Sequence, residues 1–189
     1  MKVLIVLSLL FQGFWWDIRT MDDNLRYKIV ETARKYELDP EIVAAIVFVE
    51  SSGNLFAIRW EPAFYDKYIK DRMPKDLRGH WPQLATDKTE RVARAISWGL
   101  MQIMGQTARH YGEYRGEFLA GLVDPELNLE IGCRILARFL TKAKSKGYTG
   151  WDAYRRALIY WNGSRQYPDR VFKAIKEGRH RRFLPKGTY

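Results

Sequence analysis

Among the side chains of this 189-residue chain that could do chemistry, Glu50 stands out by its setting. It closes the stretch Asp39-Pro-Glu-Ile-Val-Ala-Ala-Ile-Val-Phe-Val-Glu50, whose later part is otherwise apolar. Glu50 follows Ile42 and Ile46 at i, i+4 spacing and so shares their helix face. A glutamate at a helix C-terminus opposes the macrodipole, and a carboxylate among apolar side chains has its proton affinity raised. That is the property of a general acid working near neutral pH. A solvated helix end would explain the same residue without any chemistry. Glu61 is the next carboxylate of interest. It precedes Pro62, which biases its backbone toward extended conformations and turns its side chain back toward a cleft. Across such a cleft Glu61 would position a water, and the pair would work as an inverting hydrolase. Asp66 is a second candidate of the same kind. The plainer role for Glu61 is an ion pair with Arg59 or Arg115.

The elements that must carry these groups are mostly helices. Asp39 as N-cap and Pro40 at the first position open the helix that ends at Glu50, and Ser51-Ser52-Gly53-Asn54 closes it. Before it, 22–36 forms an amphipathic helix with Leu25, Ile29 and Ala33 on one face. A helix carrying Phe64, Tyr65, Tyr68 and Ile69 follows the turn Arg59-Trp60-Glu61-Pro62, and 74–83 forms a loop. Asp87 and Glu90 fit a capping box that opens a helix through Val92, Ala95 and Ile96. The segment Ser97-Trp-Gly-Leu-Met-Gln-Ile103 fits either a strand or a buried turn. Helices are then expected over 106–111, from Asp124-Pro125 to about Lys146 with Gly147 as stop, over 151–161 and over 167–177. No β-alternation and no internal repeat is evident, so the fold class is all-α, a mainly helical single domain.

The composition sets further bounds. Hydrophobic residues make up 47% and aromatics 14%, which excludes a disordered chain and gives enough apolar mass for one core. One Cys excludes an intrachain disulfide, and three His with that Cys give no metal-ligand spacing, so neither metal nor cofactor is expected. A net charge of +10 directs the protein toward polyanions. Lys and Arg are spread along most helices rather than gathered on one recognition face, which argues against nucleic acid as the partner. Residues 1–21 read as an apolar N-terminal segment: Met-Lys, then an apolar run, then Trp15 and Trp16 where a signal-peptidase site wants small residues. This predicts a signal or an interfacial anchor touching a membrane surface. Residues 22–178 form the domain, and 179–189, with Arg179-His-Arg-Arg182, a basic solvated tail.

Three short pieces in this order carry a resemblance: Glu50-Ser51-Ser52-Gly53-Asn54, Gly99-Leu100-Met101-Gln102-Ile103 and Trp161-Asn162-Gly163. Together with Asn128-Leu-Glu-Ile-Gly132, they resemble the catalytic domain of lytic transglycosylases of the soluble-transglycosylase, goose-type-lysozyme-like superfamily, over roughly residues 22 to 178. The Arg59-Trp60-Glu61-Pro62 turn and Ser97-Trp98 look most like small phage-type members. The resemblance implies a lysozyme-like domain with a substrate cleft, acting as a monomer on peptidoglycan glycan strands, exported to periplasm or cell wall or associated with phage. It implies Glu50 as catalytic acid and base, Ser51 helping to hold that carboxylate, and Met101 and Gln102 contacting substrate. Asn162 falls on the asparagine of the family's Ala-Tyr-Asn motif. Trp161 replaces the motif's tyrosine and cannot offer a phenol hydroxyl, which leaves Tyr160 to supply it. Gly105 stands where the family has proline.

The reaction so implied cleaves the β-1,4 bond between N-acetylmuramic acid (MurNAc) and N-acetylglucosamine (GlcNAc) and closes a 1,6-anhydro ring. Two other readings fit the same residues: a muramidase on the same fold, and a glycan-binding module without activity.

Overall fold

In the computed structural model, which describes residues 23–71, 85–115 and 117–188, the apolar run forms the central helix. Helix α1 is Asp23–Lys35 and α2 is Pro40–Ser51. The Asp39 side chain accepts the Glu41 N–H at 2.8 Å, and Ser52, in the left-handed region, ends the helix. Every residue from Ile42 to Val47 is buried. Each buried Ile or Val contributes about 1.5–3 kcal/mol, whereas a carboxylate opposing the helix dipole costs about 0.3–1 kcal/mol. The mount therefore carries Glu50 in an unfavourable place with stability to spare.

Beyond α2 lies a small antiparallel sheet of β1 (Ile58–Trp60), β2 (Ile96–Trp98) and β3 (Ile103–Met104), in the order β1-β2-β3. The sequence shows no alternation here because strands of two or three residues are too short to display one. Arg59 faces Ser97, and Ser97 faces Met104, so the three side chains form one row across one face of the sheet. Glu61, two residues beyond Arg59, extends that face. Pro62–Phe64 begins a helical turn that continues as a π-helix through Tyr65–Ile69. Helix α3 (Asp87–Arg94) precedes β2, and α4 (Gly105–Tyr111) follows β3.

The expected capping box at Asp87 and Glu90 does not form. Thr86 caps α3 by accepting the Thr89 N–H, and Glu90 points inward, wholly buried. There it accepts from Arg94 Nε at 2.8 Å and from Arg109 at 2.9 and 3.0 Å. Arg109 also donates to the carbonyls of Tyr114 and Glu117, fixing the loop after α4.

Helix α5 (Pro125–Lys144), capped by Asp124, packs along α6 (Gly150–Asn162), and α7 (Tyr167–Lys176) packs against α2. Buried Asn128 on α5 bolts the β2–β3 turn in place. Its Oδ1 accepts the Met101 N–H at 2.8 Å, and its amide donates to the carbonyls of Trp98 and Leu122. Gly99 sits at φ +65, where an added Cβ would lie 2.5 Å from the Leu122 carbonyl oxygen. Only glycine fits that position.

The basic segment expected to be a solvated tail is instead part of the domain. Arg179–Phe183 forms a 3-10 turn against α2, with His180 and Phe183 buried. His180 Nε2 lies 3.2 Å from Glu41, and Arg182 donates to the Ser52 carbonyl. Phe183 fills the space beside Gly53. The expectations for residues 1–21 and for the 74–83 loop lie outside the described residues. Among the described residues no helix is long and apolar enough to cross a membrane.

Candidate active site

Two walls and a floor make a cleft. The sheet supplies one wall through Arg59, Glu61, Ser97 and Met104, and the end of α6 supplies the other through Trp161 and Asn162. Glu50, at the C-terminal end of α2, lies at the bottom, with Gln102 and Thr107 beside it. The cap of α6, Gly163 in the left-handed region, ends that helix just past Asn162 and leaves the asparagine exposed at the rim.

Glu50 stays partly accessible from the cleft, yet burial among protein groups dominates its chemistry and raises its proton affinity above the usual glutamate range. Four neighbours pull the other way: the Tyr167 hydroxyl, the Arg59 charge, the Trp161 indole N–H and the Arg170 charge, in that order. Tyr167 is the first residue of α7 and wholly buried. Its hydroxyl faces the Glu50 carboxylate and the Trp161 indole N–H without closing to a full hydrogen bond with either. Burial, then the nearby Glu50 charge, keeps that phenol protonated well above the usual tyrosine range, so it can act only as a donor to the carboxylate.

Arg59 faces the cleft but is engaged. Its Nε donates to Glu61 Oε1 at 2.6 Å, and the same oxygen accepts from Ser97 Oγ at 3.0 Å. The cation therefore acts on Glu50 through space while bonded to Glu61. The expected pairing of Glu61 with Arg59 is present, and it does not remove Glu61 from the cleft.

Gln102 takes the left-handed region at φ +49, an uncommon choice for a non-glycine residue. Its amide nitrogen donates to the Ala57 and Gly99 carbonyls at 2.9 and 3.0 Å. Both amide protons are thus spent on the scaffold, and the Oε1 acceptor is what remains for a ligand.

Four expectations need correction. Met101 does not reach the cleft. It is wholly buried, with its sulfur against Gly132 on α5, so that motif glycine makes room for the methionine. Ser51 does not hold the Glu50 carboxylate. Its Oγ donates to the Val47 carbonyl and accepts the Gly53 N–H, which closes the helix end. Tyr160 does not supply the missing phenol. One helix position before Trp161 turns it about 100° away, where it packs on Phe139 and takes the Arg156 Nε at 3.2 Å. Asp66 is exposed beside Lys70 and lies outside the cleft lining.

The residue that does offer a phenol, Tyr167, carries no motif that distinguishes it among eleven tyrosines; the only local hint is Pro168, which marks it as a helix start. Arg59 is the other contributor that sequence reasoning left unplaced in the site. Its i, i+2 spacing to Glu61 was the available signal. Among the described residues no group of three or more His, Cys, Asp or Glu is placed to hold a metal ion.

An acid of raised proton affinity at the floor of a cleft with polar walls suits protonation of a glycosidic oxygen. Neither a curated protein nor a solved structure matches the chain. A family model described as the transglycosylase SLT domain matches residues 28–169, which span the floor, both walls and Tyr167. The chain therefore belongs to the transglycosylase SLT family, with its lysozyme-like, mainly helical fold and its lytic-transglycosylase type of peptidoglycan cleavage.

Proposed function

We propose that this protein cleaves the β-1,4 bond between MurNAc and GlcNAc as a lytic transglycosylase, with Glu50 as the single acid and base. Protonated Glu50 gives its proton to the glycosidic oxygen, and GlcNAc leaves with that electron pair. The N-acetyl carbonyl oxygen of MurNAc supports the electron-poor C1, as in substrate-assisted glycosidases. Ionised Glu50 then takes the proton of the C6 hydroxyl, and O6 bonds to C1. No water enters, and Glu50 ends protonated as it began.

The observation that carries this reading is the surroundings of Glu50: enclosed enough to hold a proton, with no cation bonded to it among the described residues and a buried phenol facing the carboxylate. The phenol and the Trp161 indole N–H steady the ionised state that must exist between the two steps. Gln102 Oε1 and Asn162 are placed to bond substrate N–H and O–H groups, and Trp161 offers a ring to a sugar face. Work on this substrate is consistent with a protein exported to the periplasm or cell wall, or associated with phage.

Glu61 favours a second reading. It lines the same cleft, and with one oxygen engaged by Arg59 and Ser97 the other remains to hold a water, which would make the enzyme a muramidase. Mass spectrometry of purified peptidoglycan after digestion separates the two. Products ending in 1,6-anhydroMurNAc, one water lighter, are expected. Reducing-end products that disappear in Glu61→Gln would establish the hydrolase instead.

A further inference from the structure

The side chain that turned away from the cleft leads to a second site. Tyr160 is neighbour in sequence to Trp161, so its backbone lies about 3.8 Å from that of a cleft-wall residue, while its ring emerges on the outer face of α5 and α6. Three cations surround the ring. Lys142 Nζ is 4.7 Å from its centroid, the Arg156 guanidinium 5.2 Å and Lys146 Nζ 5.6 Å. Arg156 also lies 5.5 Å from the centre of the Tyr148 ring, which is 38% exposed.

No carboxylate among the described residues pairs with Lys142, Lys146 or Arg156. Elsewhere on the surface, Lys28, Lys35, Arg59, Arg138 and Arg155 each have an acidic partner. Like charges crowded without a counterion repel one another, and two aromatic faces only partly relieve that. The hydrogen bond from Arg156 first, and Lys146 with it, draw the Tyr160 phenol below the usual tyrosine range although desolvation pushes the other way.

We propose that Lys142, Lys146 and Arg156 form an anion-binding site for the carboxylates of the peptide stems that peptidoglycan carries on its muramic sugars. This rests on the reading of the cleft as a peptidoglycan site. A strand seated against Trp161 and Asn162 brings its own anions within reach of the next helix face, so the patch needs no separate partner. The cations sit on rigid mounts, since Lys142 belongs to α5 and Arg156 to α6, the most extensively packed helix pair of the fold. Their exposure keeps each contact weak and sensitive to salt. The site therefore adds affinity for stem-bearing strands without entering the bond-breaking steps.

The test compares the wild type with K142Q/K146Q/R156Q on two substrates, stem-bearing glycan strands and the same strands stripped of peptide by an amidase. On stem-bearing strands KM is expected to rise about fivefold to tenfold in the variant, with kcat unchanged and the difference gone at high salt. On stripped strands both proteins should show the same KM. An equal KM for both proteins on stem-bearing strands would overturn the proposal, as would an equal rise on both substrates. Failure of the cleft reading looks different: the wild type would then cleave neither substrate.

Discussion

Glu90 and Glu50 are both drawn out of bulk water, and the fold treats them differently. Glu90 is wholly buried and meets two guanidiniums with three charge-assisted hydrogen bonds, so its carboxylate is fully compensated. Glu50 has no bonded cation among the described residues. Its neighbours are a phenol and an indole that stop short of full hydrogen bonds, and two arginines acting through space. Compensation makes a structural strut of one carboxylate. Incomplete compensation raises the proton affinity of the other, as the proposed acid role requires. The difference is made by partners from distant parts of the chain, Arg109 for Glu90 and Tyr167 for Glu50.

Exchanging each acid for its amide should separate the two roles. Glu50→Gln is expected to lower the cleavage rate by about 10²–10⁴-fold while leaving the fold intact, as read by glycan turnover beside circular dichroism. Glu90→Gln should act through stability. Removing the charge leaves two buried guanidiniums without their counterion, a loss of about 3–5 kcal/mol. Denaturant unfolding will measure this, and the folded fraction should retain normal turnover. If Glu90→Gln were as stable as wild type, the contrast between the two sites would collapse.

A smaller change sharpens the same comparison. Tyr167→Phe removes the neighbour that most favours ionised Glu50, so the proton affinity of Glu50 should rise further. The alkaline limb of the kcat/KM profile, where the acid is lost, is then expected to move to higher pH. The maximal rate should fall by about 10-fold or less, under the worth of a full hydrogen bond to a charged group, because the phenol stops short of one. The smallest effect is on stability. Because the native proton affinity of Glu50 is raised, the folded state is favoured most below the ordinary glutamate range. That advantage declines as pH rises through the raised native value. Glu50→Gln lacks the decline, so its melting temperature should exceed that of wild type at pH 7 and match it near pH 4.

Much of the scaffold was legible in the sequence because its signals are local. Asp39-Pro40 and Asp124-Pro125 start helices where expected, and Gly147 and Gly163 follow the ends of two others. Glu50 was legible for the same reason, as an acid at the end of an apolar helix. The misplaced residues depended on distant partners. Whether Met101 faces the cleft or the core is decided by Gly132 and Asn128, about thirty positions away, which seat the turn on α5. Tyr160 and Trp161 are adjacent, and only the rotation of α6 against α5 determines which ring meets Glu50. Glu90 mimicked a cap because its spacing from Asp87 fits one, while Arg94 and Arg109 drew it inward.

The most direct measurement is a carboxyl ¹³C NMR titration of Glu50, assigned by loss of its signal in Glu50→Gln. A midpoint raised above the ordinary glutamate range, and raised further in Tyr167→Phe, is the predicted result. A midpoint at or below that range would mean that Glu50 is already ionised when the glycosidic oxygen needs its proton, and the acid role assigned to it would be wrong.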